Sequence, residues 1–134
     1  MATKTSKKAV GEALIAGMRE RDLEALLALM HPELETFEPE SLPYGGTWKG
    51  REGFAALLEK LMGLAELSIQ DAQIHEIDEG VMMEIEFSFT SHKDGEVFRT
   101  SAVEIDRLED GLVREIDIYY KDVAAANEFF ARQT

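Results

Sequence analysis

From residue 81 the apolar side chains fall on every second position. Val81, Met83, Ile85, Phe87 and Phe89 alternate with Met82, Glu84, Glu86, Ser88 and Thr90. Such a period describes a strand with one face in a core and the other in water, the usual state of an antiparallel sheet. Glu79-Gly80, Asp94-Gly95 and Asp110-Gly111 separate the apolar runs, and each is a hairpin signal. Four strands are predicted, over about 68–77, 81–92, 96–108 and 112–121. Asp122 caps a last helix running through Phe130.

The first half has a different rhythm. Val10, Leu14 and Met18 recur at i, i+4, i+8, and Leu23, Leu26, Leu27 and Met30 form a second stripe. Both are helical spacings. Arg19-Glu20-Arg21 and the N-cap residue Asp22 separate them, so residues 7–30 read as two helices, with Pro32 closing the second. Leu34 to Phe37 is a short strand. The stretch 38–50 holds two prolines and three glycines and reads as a loop. Helical spacing returns over 53–67, with Phe54, Leu57, Leu58, Leu61 and Met62 on one side. Helices followed by a meander of long strands imply an α+β fold, helices on one face of a curved sheet, in a single domain over 1–134.

Composition narrows the partners. The chain has 134 residues, 27 acidic against 14 basic, for a net charge of −13. Like charges repel, so duplex nucleic acid and anionic bilayers are not expected partners. Cysteine is absent, which removes disulfides, thiolate metal sites and cysteine nucleophiles. No apolar run approaches the ~20 residues of a membrane span. The basic start MATKTSKK leads into no apolar segment, so no signal peptide is read and a cytoplasmic location is expected.

Three segments resemble the SnoaL-like branch of the NTF2-like superfamily, relatives of ketosteroid isomerases and polyketide cyclases. The first is Arg21-Asp22-Leu23-Glu24-Ala25-Leu26-Leu27-Ala28-Leu29 with Pro32. The second is Glu38-Pro39 with Pro43-Tyr44-Gly45-Gly46-Thr47-Trp48-Lys49-Gly50-Arg51-Glu52-Gly53. The third is the hairpin from Val103 to Val113 with Tyr119-Tyr120-Lys121-Asp122 after it. The resemblance covers almost the whole chain. It implies an α+β cone: three N-terminal helices packed on a strongly curved, mostly antiparallel sheet, around an apolar cavity open at one end. It also implies a homodimer through the outer sheet face. The family includes both enzymes and binding modules, so fold alone does not decide function.

Glu38 stands where the isomerase relatives carry their general base, and it also reads as a solvated loop glutamate beside Glu40. Glu104 stands where they carry a neutral acid that hydrogen-bonds the developing oxyanion; ketosteroid isomerase is the standard example of such an acid. Its other reading is an exposed glutamate paired with a base such as Arg114. The resemblance has departures. The first-helix tyrosine of those isomerases is replaced by Leu14, and both carboxylates are Glu rather than Asp, so a true steroid isomerase is not expected. Tyr44, Trp48, Tyr119 and Tyr120 are candidate substrate-binding donors, and Phe54 and Phe87 candidate apolar contacts.

The remaining ionisable residues point elsewhere. His75 shares a face with Asp71 and Gln73, which reads as solvated, and His31 and His92 read as structural. The three histidines have no metal-ligand spacing, so no metal is expected. Arg99 with Asp106 or Asp117 reads as surface ion pairing. There is no phosphate-binding loop, dinucleotide fingerprint or serine elbow, so no cofactor is expected.

Two functions follow as expectations. One is a cofactor-independent isomerase, cyclase or dehydratase acting on a small hydrophobic carbonyl compound by carboxylate acid–base catalysis, with Glu38 as base and protonated Glu104 as acid. The other is a non-catalytic small-molecule-binding or dimeric scaffold module whose cavity holds an apolar ligand or is filled by Met18, Met62, Phe87 and Phe89.

Overall fold

The computed structural model describes residues 6–133; the first five residues of the basic start lie outside this range. Helix α1 spans Lys7–Glu20 and opens on Ser6, whose hydroxyl accepts the Ala9 amide. It stops at Arg21, which adopts a left-handed φ of 55°. Asp22 then caps helix α2, Leu23–Ala28, by accepting the Ala25 amide at 3.0 Å. The break between two helices is therefore where the Asp22 signal puts it.

Strand β1 covers Met30–Glu38, longer than the predicted 34–37. Helix α2 ends two residues early because the backbone turns onto the sheet: the Val113 amide donates to Leu29 O, and Met30 pairs with Val113. Pro32 sits in an irregular stretch between Met30 and Glu35, where a missing N–H breaks no ladder. The predicted loop contains a short strand, β2 (Gly46–Lys49), paired antiparallel with β1. Both prolines fall in the connection, which leaves 46–49 free to pair.

Helix α3, Gly50–Leu64, buries Phe54, Leu57 and Leu61 and passes directly into β3, Ala65–Ile77. Helix and strand both begin three residues before their predicted starts. Ala65, Leu67 and Ile69 already alternate inward, and the register shift between Ile69 and Asp71 moves the inward set to Ala72 and Ile74. Strand β4 is Gly80–Ser91, β5 is Val97–Glu109 and β6 is Leu112–Tyr120. Asp110 (φ 53°) and Gly111 (φ 78°) join β5 to β6 as a two-residue turn with both centres left-handed. That geometry matches the twist of a hairpin.

The six strands form one sheet ordered β2-β1-β6-β5-β4-β3. Every pairing is antiparallel except β1 with β6. Helix α1 packs on β3 and β4, and α3 packs on β1 and β3. Helix α4, Val123–Arg132, is capped by Asp122 and drives Phe129 and Phe130 against Phe89 and Tyr44. This is the expected α+β cone with a fourth helix at its C-terminus. Among the described residues, no helix is long and apolar enough to cross a membrane.

Candidate active site

The inner sheet face is set by register. Across β4, β5 and β6, Met83 pairs with Glu104 and Glu104 with Ile118. One step along, Val81 pairs with Asp106 and Asp106 with Ile116, which pairs in turn with Thr36 of β1. Continuing the β1–β6 register beyond Phe37 and Asp117 brings Glu38 beside Ile118. Glu38 and Glu104 thus flank Ile118 from two sides, about 10 Å apart along the sheet at ~4.8 Å per strand. Residues 66 positions apart in the chain share one wall because β6 lies between their strands.

A cavity of about 100 Å3 opens onto this wall between the sheet and the helices α1–α3. Most of its lining is apolar, including Leu14, Met18, Phe54, Leu58, Met83, Phe87 and Ile118. Thr36, Glu38, Glu104 and Tyr120 are the polar residues among those lining it. Thr36 Oγ1 and Glu38 Oε1 are buried without a hydrogen-bond partner among the described residues, and such atoms are rare in folded proteins.

Burial decides the electrostatics. Glu38 is 8% exposed. Loss of water pushes its carboxyl from an ordinary 4.5 up to about 8, and the charge of Glu104 adds to the rise. Burial also raises Glu104, while the neighbouring Asp106 carboxyl opposes that rise. Glu104 keeps some accessible surface despite its depth, because it lines the cavity. Asp106 is fully buried, and burial together with Glu104 holds its carboxyl well above the ordinary range.

Tyr120 reaches the cavity, and its hydroxyl lies 2.5 Å from that of Tyr44. Burial raises both phenols, so both remain protonated. Tyr44 is fully buried behind Tyr120 and lies outside the cavity lining. Trp48 also lies outside it; its indole N–H donates to Tyr44 O at 3.0 Å and fastens the β1–β2 connection. Phe54 and Phe87 line the cavity. Tyr119 corrects the expectation of two adjacent cavity tyrosines: strand alternation turns it to the outer face, where it is 56% exposed.

Asp106 corrects a second expectation, since it is not a surface ion-pair partner. Arg107 instead takes Asp117 (3.0 Å) and Glu115 (3.4 Å) on the outer face. Met62 lies outside the lining, so it does not fill the cavity. The histidines stay away from the site: His31 meets Glu109, His75 meets Glu84, and His92 meets Met62 O. No group of three or more His, Cys, Asp or Glu among the described residues has the geometry to hold a metal ion.

Comparisons with known proteins agree with this architecture. No curated protein matches the chain. Among solved structures it resembles TerC, co-crystallised with polyporic acid, at 23% identity and a TM-score of 0.84, covering 94% of this chain and 99% of that one. It also resembles a candidate polyketide cyclase of Pseudomonas putida KT2440 (18% identity, TM-score 0.81, covering 92% and 97%). An NTF2-like protein of Burkholderia xenovorans LB400 is similar as well (23%, TM-score 0.80, covering 98% and 99%). At such identities these likenesses show the fold, which is NTF2-like. The SnoaL-like domain profile matches residues 12–116, most of the chain. The protein belongs to the SnoaL-like domain family.

Proposed function

We propose that the protein is a cofactor-independent acid–base enzyme that shifts protons on a small, apolar carbonyl compound, as in an isomerisation, cyclisation or dehydration. The observation that carries this reading is the pair Glu38 and Glu104 on one wall of an apolar cavity. A base works best when its pKa lies near the working pH, and burial has moved both carboxyls upward toward neutrality. The likeness to TerC, co-crystallised with polyporic acid, and to a candidate polyketide cyclase supports an organic substrate. A cavity of about 100 Å3 suits roughly a single ring, since an engineered cavity of ~150 Å3 accepts benzene.

The roles expected from the family resemblance are exchanged in this proposal. Glu38, raised to about 8 by burial and the charge of Glu104, keeps its proton at neutral pH. Glu104 is therefore the base and Glu38 the acid. Glu104 removes the proton next to the carbonyl. The C–H electron pair becomes the new C=C bond, and the carbonyl oxygen takes the Glu38 proton to give an enol. Return of a proton from Glu104 to carbon, and of the enol proton to Glu38, restores both groups. Tyr120 O–H, held by Tyr44, is a further donor beside the oxygen.

The test is conversion of β,γ-unsaturated cyclohexenone to its conjugated isomer, followed by absorbance. Glu38→Gln and Glu104→Gln should each lower the rate by about 10²–10⁴-fold. The wild-type rate should fall above about pH 8 as Glu38 loses its proton. A wild-type rate equal to that of buffer, or full activity in either variant, would sink the proposal.

A further inference from the structure

Asp106 lies one step further along the inner face of β5 than Glu104, at i+2, and it is not among the cavity-lining residues. It is 0% exposed, and neither carboxyl oxygen has a hydrogen-bond partner among the described residues. Its cross-strand neighbours are Val81 on β4 and Ile116 on β6. Helix α1, packed on β4, brings Val10 and Leu14 into the same apolar cluster. The adjacent Arg107 points to the other face and is engaged by Asp117, Glu115 and Glu79.

An ionised Asp106 would therefore be a buried charge with no cation among the described residues to compensate it, a costly state that proteins avoid by keeping the group neutral. A neutral carboxylic acid has one O–H to donate. The polar groups on the same inner sheet face are Glu104 on its own strand, Thr36 and Glu38 on β1, and Tyr120 further along β6. Of these, Glu104 is nearest along the backbone, and its negative charge adds to burial in raising the Asp106 carboxyl.

We propose that Asp106 is a positioning residue: as the neutral acid it donates a hydrogen bond to Glu104 and holds that group, as carboxylate, toward the cavity. This deepens the reading of Glu104 as base and rests on it. It also gives a physical reason why, of two buried glutamates on one wall, Glu104 is the one placed as base. With that bond formed, Glu104 gains a donor behind it, whereas Glu38 Oε1 has no hydrogen-bond partner among the described residues.

The test uses carboxyl-carbon NMR of the full chain without substrate, so it stands whether or not turnover is found. In the wild type, the Asp106 carboxyl should keep the chemical shift of the neutral acid through neutral pH, while Glu104 titrates before Glu38. Asp106→Leu removes the donor and should raise the Glu104 midpoint by about one pH unit or more, a tenfold change in its ionisation. Asp106→Asn keeps an N–H donor and should hold the Glu104 midpoint near the wild-type value. With turnover present, kcat should fall in the Leu variant with KM little changed, and Asn should restore it.

An Asp106 already ionised near neutral pH would overturn the inference. So would an unchanged Glu104 midpoint in a folded Leu variant, or an Asn variant displaced as far as Leu. If the Leu variant does not fold, the wild-type and Asn titrations decide. The expected titrations without any turnover would leave Asp106 in its role and remove only the enzymatic reading.

Discussion

Replacing Glu38 by Gln should make stability diverge from the wild type as pH rises. The variant is close in shape and cannot ionise. In the unfolded chain Glu38 loses its proton near 4.5, but in the folded protein only near 8. Between those values the folded state binds more protons than the unfolded state, so stability falls with increasing pH. Below 4.5 the group is protonated in both states and has no effect. Above about 8 the full cost is present: the interval from 4.5 to 8, at 1.36 kcal/mol per pH unit, comes to about 5 kcal/mol. Between pH 5 and pH 9 the wild type should therefore lose about 4 kcal/mol relative to Glu38→Gln. Comparing variant with wild type removes most of the similar contributions of Glu104 and Asp106. Urea unfolding at a series of pH values, with the slope m held constant, measures the difference directly. Two stability curves that run parallel from pH 5 to pH 9 would refute the reasoning. They would mean that Glu38 titrates alike in the folded and unfolded chains.

Two further outcomes follow from the backbone and the phenol pair. Gly111→Ala places a side chain at a φ of 78° with nothing within 4 Å of its Cβ, so the cost is purely conformational. It should be about 1–2 kcal/mol by denaturant unfolding, and a neutral result would mean that the turn is not formed as described. Tyr44→Phe leaves the buried Tyr120 hydroxyl without its partner and should cost about 1–3 kcal/mol. A thermal unfolding midpoint equal to the wild type would mean that the two hydroxyls are not bonded in solution.

The parts legible in the sequence are those where local signals and tertiary packing agree. Asp22 and Asp122 each cap the helix that their position announces, because a short carboxylate there satisfies an amide whatever the rest of the chain does. The alternation from Val81 to Phe89 gave the inner face of β4 correctly, since that strand keeps its apolar side inward throughout. Strand β5 breaks this agreement. Its inner face carries Ala102, Glu104 and Asp106, while Val103 and Ile105 point outward. Hydrophobicity there argues for the wrong face, so Asp106 reads as a surface acid although it is fully buried. Alternation puts Glu104 on one face with Phe98, Thr100 and Ala102, and the family resemblance points that face at the cavity. Strand β2 stayed hidden because its pairing depends on a connection full of proline and glycine. Of the adjacent tyrosines 119 and 120, alternation admits one to the interior, but which one depends on a register that only the assembled sheet supplies.

The parallel seam between β1 and β6 has a consequence for assembly. Thr36 and Ile116 meet across it although 80 positions separate them, whereas the strands from β3 to β6 are joined by short hairpins that zip locally. Chain entropy makes the distant pairing the slower one to close. Until it closes, Glu38 stays in solvent as an ordinary carboxylate, far from Glu104. Half-assembled chains therefore lack the buried pair of Glu38 and Glu104 altogether, and the wall that joins them exists only in molecules that have completed their last contact.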